Sequence, residues 1–183
     1  MNYFESINPT NGKIIKEYLA LSEDELNEIL LNTDKRFDSW KKNSVDERSS
    51  YFLEIAKIID QKKNELSELL AAEMGKPIMQ GKVEIEKCAL LCRYYANNAA
   101  LFLKDDIIKT EASKSYATFQ PLGIILGIMP WNFPFWQVFR FAVPTMVAGN
   151  TILLKHAPNV LGCAKAIQKI FEESSLPNNC FNN

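Results

Sequence analysis

Residues 121–155 read PLGIILGIMPWNFPFWQVFRFAVPTMVAGNTILLK, and the architecture follows from how that run divides. Pro121 and Gly123 mark a turn. Ile124-Ile125-Leu126-Gly127-Ile128-Met129 is an apolar run between turn signals, the pattern of a strand buried on both faces. Pro130-Trp131-Asn132-Phe133-Pro134 is a rigid loop with one polar side chain. Phe135 to Ala148 reads as a mostly apolar helix, Gly149-Asn150 stops it, and Thr151-Ile152-Leu153-Leu154 is a second buried strand. Strand, loop, helix, strand is a βαβ unit, whose crossover is almost always right-handed. In open α/β sheets ligands bind beyond the carboxyl ends of the strands. Asn132 and Lys155 fall at that end.

Upstream of this unit the chain reads as a hairpin followed by helices. Residues 4–20 form two short strands about Asn8-Pro9-Thr10-Asn11-Gly12, where Asn-Gly signals a hairpin turn and Lys13-Ile14-Ile15-Lys16 returns. Ser22-Glu23-Asp24-Glu25 is a capping box, and Leu26, Ile29, Leu30, Thr33, Phe37 and Trp40 follow at helical spacing. Ser44-Val45-Asp46-Glu47 repeats the start signal, with Phe52, Ile55, Ala56 and Ile59 facing inward. That helix bends near Lys62-Lys63-Asn64 and resumes to Met74, where Gly75 and Pro77 stop it. A fourth helix, roughly residues 78–103, turns apolar through Ala89, Leu90, Leu91, Tyr94 and Tyr95. Thr110 to Gln120 reads as extended, with an exposed face.

Beyond Lys155, His156-Ala157-Pro158 is a tight loop. Asn159 is the expected cap of a last helix over 160–174, with Leu161, Ala164, Ile167, Ile170 and Phe171 inward. Cys180 and Phe181 fall in a tail. The fold class is α/β with only two buried strands, where a parallel sheet needs flanking strands. The chain ends where a third should begin, and the open ladder predicts self-association.

The composition, 47% hydrophobic and 23% charged over 183 residues, is that of an ordinary globular protein and excludes the disordered class. A net charge of -1 without a basic block argues against nucleic acid or an anionic membrane as partner. No apolar run reaches the length of a membrane span. Met1 to Glu17 lacks the basic and apolar regions of an export signal. Cys88, Cys92, Cys163 and Cys180 therefore read as reduced, buried thiols of a cytoplasmic protein. His156 is the single histidine, and no set of residues has metal-ligand spacing, so no metal is expected.

Three polar side chains near the βαβ unit could carry chemistry. Pro130 and Pro134 restrict the backbone about Asn132. Its carboxamide suits an oxyanion donor, or it hydrogen-bonds its own turn. Lys155, ending a strand, suits a nucleotide ribose or phosphate, or is a solvated terminus. Arg140 is the one charge in residues 135–146 and lies nearly on the helix face of Phe133. It is either a bidentate carboxylate receptor or half of a structural ion pair. Neither G-x-G-x-x-G nor a P-loop occurs, so a nucleotide would be gripped differently from a standard dinucleotide fold.

Together, P-x-G-I-I, P-W-N-F-P, A-G-N-T and L-L-K, in that order, resemble the aldehyde dehydrogenase superfamily. Asn8-Pro9-Thr10-Asn11-Gly12 and Glu73-Met74-Gly75-Lys76-Pro77 fit the same pattern, and L-L-K-H-A-P-N resembles the succinate-semialdehyde dehydrogenase branch. The resemblance implies an N-terminal helical layer plus the first βαβα of an incomplete Rossmann-like cofactor domain. Residues 1–109 would be hairpin and helices, 110–122 an extended bridge, and 123–183 the first part of the Rossmann-like unit.

By the same resemblance Asn132 is the oxyanion-hole asparagine. Met129, Pro130, Trp131 and Asn132, with Lys155, His156, Ala157 and Pro158, surround NAD or NADP. Lys155 takes the adenosine ribose. Pro158 stands where many members carry a glutamate that binds the ribose hydroxyls, which leaves the choice between NAD and NADP open. Phe133, Trp136 and Arg140 line the passage for a small aldehyde, and Arg140 agrees with a distal carboxylate on it. None of the four cysteines matches the nucleophile's context, and the base glutamate is missing too. The chain thus resembles the N-terminal part of such an enzyme, without turnover of its own.

Overall fold

A computed structural model gives the structure of residues 3–183. Local signals start and stop the first elements as the sequence dictates. Strands β1 (Tyr3–Ile7) and β2 (Ile14–Leu19) pair antiparallel across a turn in which Gly12 takes φ 68°. Helices α1 (Glu23–Trp40) and α2 (Val45–Gln61) each begin on a complete capping box, Ser22 with Glu25 and Ser44 with Glu47. Helix α3 (Lys63–Met74) ends on Gly75 at φ 71°, a left-handed conformation that costs glycine little. Helix α4 (Ile78–Phe102) follows.

Sequence periodicity overstates two of these surfaces. In α1, Thr33 and Trp40 are buried, whereas Leu26, expected to face inward, stands 43% exposed on the first turn. Of the expected extended segment 110–120, only β4 (Tyr116–Ala117) is a strand. It pairs with β3 (Asp106–Ile107), and the loop between them makes its own turns.

The βαβ unit forms as read: β5 (Ile124–Ile128), α5 (Pro134–Val147) and β6 (Thr151–Lys155), with β5 and β6 parallel. Its edge differs from expectation. Leu126 and Ile128 are 61% and 68% exposed, so β5 is covered on one face only. Gly127 lies on the covered face, where an added Cβ would sit 2.5 Å from the Phe141 ring. Glycine is what lets α5 approach this strand.

A third strand is present, correcting the two-strand reading. β7 (Phe181–Asn182) runs parallel to β6, and Ile152 N donates to the Cys180 carbonyl at 2.9 Å. Cys180 and Phe181 are therefore core residues rather than tail. The turn before them places Asn179 at φ 66° and leaves two paired residues, too few for any periodic signal.

Helix α5 is the centre of the core. Its Phe135, Val138, Phe139, Ala142, Val143 and Met146 are fully buried, as are Phe52, Ile55 and Ala56 of α2 and Cys88 and Cys92 of α4. At its carboxyl end, Trp40 Nε1 donates to the Met146 carbonyl at 3.0 Å and Arg48 Nε to Val147 at 2.8 Å. The Met146 carbonyl also accepts from Gly149 N at 2.9 Å, and Arg48 satisfies the Val147 carbonyl that the helix itself leaves open. Asn150 then accepts from Leu122 N and Gly123 N at 2.7 and 3.1 Å, tying the start of β5 to the start of β6.

Helix α6 (Leu161–Glu173) is preceded by a short turn over Pro158–Val160 and is not capped by Asn159. Glu73 of α3 caps it instead, accepting from Gly162 N at 2.8 Å and Cys163 N at 2.7 Å, and from the Ser6 hydroxyl of β1. One buried carboxylate thus joins the hairpin, α3 and α6. Glu73→Ala leaves those donors unpaired, and hydrogen bonds to a charged group contribute about 1.5–3 kcal/mol each. A loss of about 3 kcal/mol corresponds to roughly 6–12 °C in the thermal midpoint of a chain this size. Unfolding followed by circular dichroism measures it, and a shift under about 2 °C would rule out the hub.

Candidate functional site

Residues 129–133 connect β5 to α5 at the carboxyl edge of the sheet. Met129 N donates to the Lys155 carbonyl at 3.1 Å, so the pairing of β5 with β6 continues one step into the loop. The loop's other end is held from a distance. Glu84 of α4 accepts from Phe135 N and Trp136 N, both at 3.0 Å, supplying the N-terminal cap that Phe133 cannot. Its second oxygen pairs with the Lys76 ammonium, which also lies 3.8 Å from the centre of the Phe133 ring. Both charges are buried and paired, which is the condition for keeping them there. A negative charge at a helix N-terminus is further favoured by the helix dipole.

With the backbone fixed at both ends, Asn132 projects into solvent. Its carboxamide makes no hydrogen bond among the described residues, so it is not spent on its own turn. Met129 is half-buried, Pro130 and Trp131 are exposed, and Phe133 is 44% exposed.

Trp136 and Arg140 lie on the outward side of α5 and Phe133 just precedes it; Arg140 stands beyond the groove that Phe133 and Trp136 line. Trp136 and Phe133 join Lys76, Val83 and Lys87 in a groove of about 420 Å³, with the Lys87 ammonium 4.0 Å from the Trp136 ring centre. Arg140 is exposed and forms no ion pair among the described residues, so the structural-pair alternative has no partner there.

A second groove, about 380 Å³, opens beyond the end of β6. Leu154, Pro158, Leu161 and Tyr18 give it apolar walls, and Lys155 and Lys165 place two ammonium groups on it. No aspartate or glutamate side chain lines it. The donor set fits a nucleotide, with an apolar shelf for a base and cations for ribose or phosphate, although Lys165 Nζ already donates to the Asn183 main-chain oxygen at 3.4 Å. Pro158 is exposed, while Ala157 and His156 are buried.

The four thiols stand apart from both grooves. Each is fully buried, and burial pushes all four above the ordinary cysteine range, Cys180 to about 12. A thiol held protonated is a poor nucleophile.

Glu84 and Glu73 escaped the sequence reading. For Glu84 a signal existed: Gly81, Glu84, Ile85, Cys88 and Cys92 are all buried and share helical spacing, so Glu84 is a charge on an apolar face. Such a residue must have a partner, although spacing could not say which.

The profile of the aldehyde dehydrogenase family matches residues 1–183. Over 176 residues the chain is 44% identical to a probable succinate-semialdehyde dehydrogenase (NADP+) of Synechocystis sp., covering 96% of this chain and 39% of that protein. It is 39% identical over 172 residues to the succinate semialdehyde dehydrogenase (NAD(P)+) of Escherichia coli strain K12, covering 94% of this chain and 37% of that protein. A crystal structure of succinic semialdehyde dehydrogenase from Streptococcus pyogenes in complex with NADP+ superposes with a TM-score of 0.95 at 25% identity, covering 98% of this chain and 40% of that one. The chain spans about two fifths of the length of these relatives.

Proposed function

The chain belongs to the aldehyde dehydrogenase family, and from that premise we propose that it is the N-terminal part of an NAD(P)+-dependent enzyme oxidising succinate semialdehyde to succinate. The observation that carries the reading is the pairing of Asn132 with Lys155. Both are exposed at the carboxyl ends of adjacent strands, and a backbone hydrogen bond joins their loops.

In this reading the Met129–Asn132 and Lys155–Pro158 loops would hold a nicotinamide cofactor, which would supply the hydride acceptor when bound. Lys155 donates to its ribose, and Met129, Pro130 and Trp131 offer backbone beside it. Since position 158 is proline, no carboxylate opposes a 2′-phosphate, and the second groove lysine, Lys165, favours one. Asn132 donates to the aldehyde oxygen as negative charge develops on it, and its fixed backbone means no reorganisation is needed. Phe133 and Trp136 wall the aldehyde's chain, and Arg140 takes its distal carboxylate through a forked pair of N–H donors. The nucleophilic thiolate and the base belong to the remaining length that the relatives possess.

No described helix is long and apolar enough to cross a membrane. A cytoplasmic location accords with four unbridged thiols. The free edge of β5, with Leu122 89% exposed beside it, supports self-association of this chain. The complete gene product is expected to form NADPH from succinate semialdehyde and NADP+. The 183-residue chain alone should form none and should sediment above monomer mass. A complete gene product without aldehyde-dependent NADPH formation would overturn the assignment.

A further inference from the structure

His156 lies between the two loops of the site, and its ring is buried at 4% exposure. Two hydrogen bonds fix its proton. Ala157 N donates to Nδ1 at 2.8 Å, so Nδ1 carries a lone pair. The proton then sits on Nε2, which lies 3.0 Å from the Pro134 carbonyl and donates to it. Pro134 is two residues past Asn132 and opens α5, and Ala157 is two residues past Lys155. One ring therefore bonds to the backbone of both loops.

We propose that His156 is a positioning residue whose neutral Nε2–H tautomer ties the Asn132 loop to the Lys155 loop, so that one nucleotide meets both in register. This rests on the nucleotide-site reading above. It gives His156, which the family resemblance sets beside the cofactor, a role through the backbone, because its ring is occupied by Pro134 and Ala157. A cationic ring would keep the Nε2–H donor for Pro134 but set a second N–H against the Ala157 N–H, so only the neutral ring satisfies both contacts. Around the ring are the Glu73 carboxylate from α3 and the Lys155 ammonium at the end of its own strand; Tyr18 of β2 and Lys165 of α6 share the adjoining groove. Burial is the main cause holding the imidazole below its ordinary range, and Lys155 adds to it. The Pro134 carbonyl and Glu73 act the other way.

The direction of pH dependence follows. Both bonds are present above the ordinary histidine value of about 6.5; as pH falls through the lower folded value the Ala157 bond is lost while the Pro134 bond persists. Replacement variants separate the ring's two roles. His156→Gln can keep an uncharged donor for Pro134 at every pH. His156→Asn can keep only the acceptor for Ala157, and His156→Phe keeps neither.

The test is NADP+ affinity of the complete gene product by titration calorimetry, without aldehyde, alongside ¹⁵N NMR of the ring. Expected at pH 7.5 is a neutral Nε2–H ring, with the glutamine variant within about twofold of wild type. The asparagine and phenylalanine variants should bind about tenfold more weakly, the range of one or two lost hydrogen bonds. From pH 7.5 to 5.5 the wild type and the glutamine variant should keep their affinity ratio within about twofold, since both retain the donor for Pro134. Comparing the two at each pH cancels the titration of NADP+ itself. Undiminished binding by a folded asparagine or phenylalanine variant would sink the inference alone, as would a cationic or Nδ1–H ring at pH 7.5. A wild type that binds no NADP+ at any pH would sink the nucleotide reading and the inference with it.

Discussion

Asn132→Ala in the complete enzyme is expected to lower kcat on succinate semialdehyde by about 100- to 1,000-fold, the range for removing one oxyanion donor. NADP+ affinity should stay within about twofold. The reason is the separation of what positions the loop from what the loop presents. Glu84, Lys76 and the Met129–Lys155 bond hold the backbone, and none of them touches the Asn132 carboxamide. Removing the amide therefore deletes a donor without loosening its support. Stopped-flow measurement of NADPH formation reads the chemical step, and thermal unfolding checks the fold. A fall in kcat below tenfold with an unchanged midpoint would show that the amide does not meet the developing charge.

Arg140→Ala should discriminate between substrates. A forked, charge-assisted contact contributes about 2–3 kcal/mol, so kcat/KM for succinate semialdehyde should fall roughly 30- to 150-fold. For an uncharged aldehyde of similar length the change should be small. The guanidinium is exposed and forms no ion pair among the described residues, and the thermal midpoint should hardly move. Steady-state kinetics on the two aldehydes decides it. Equal losses on both would remove the carboxylate-receptor role and, with it, the residue-level reason for naming succinate semialdehyde.

The hairpin, the helices and the βαβ unit were legible in the sequence because their causes are local. Ser22 with Glu25 and Ser44 with Glu47 act over three residues, Gly75 ends α3 by its own φ, and the inward positions of α2 repeat with the helical period. The placement of Asn132 and Lys155 at one edge also followed from the order of strand, loop, helix and strand. Family resemblance supplied roles to these positions that spacing left open.

Exposure of β5, the third strand and the caps of α5 and α6 were decided only by tertiary structure. Whether an apolar strand is covered on one face or two depends on what packs there, and a run of isoleucine and leucine reads alike in both cases. The two-residue β7 has too little length for a period, and its place comes from pairing with Ile152. Helices α5 and α6 begin without a side-chain cap of their own, so their first N–H groups must be satisfied from elsewhere. Glu84 meets that need across 51 and 52 residues of sequence and Glu73 across 89 and 90. A buried carboxylate can pair with any donor that the fold brings near, so the sequence determined that these glutamates needed partners, and the packing of α3 and α4 against α5 and α6 determined which ones.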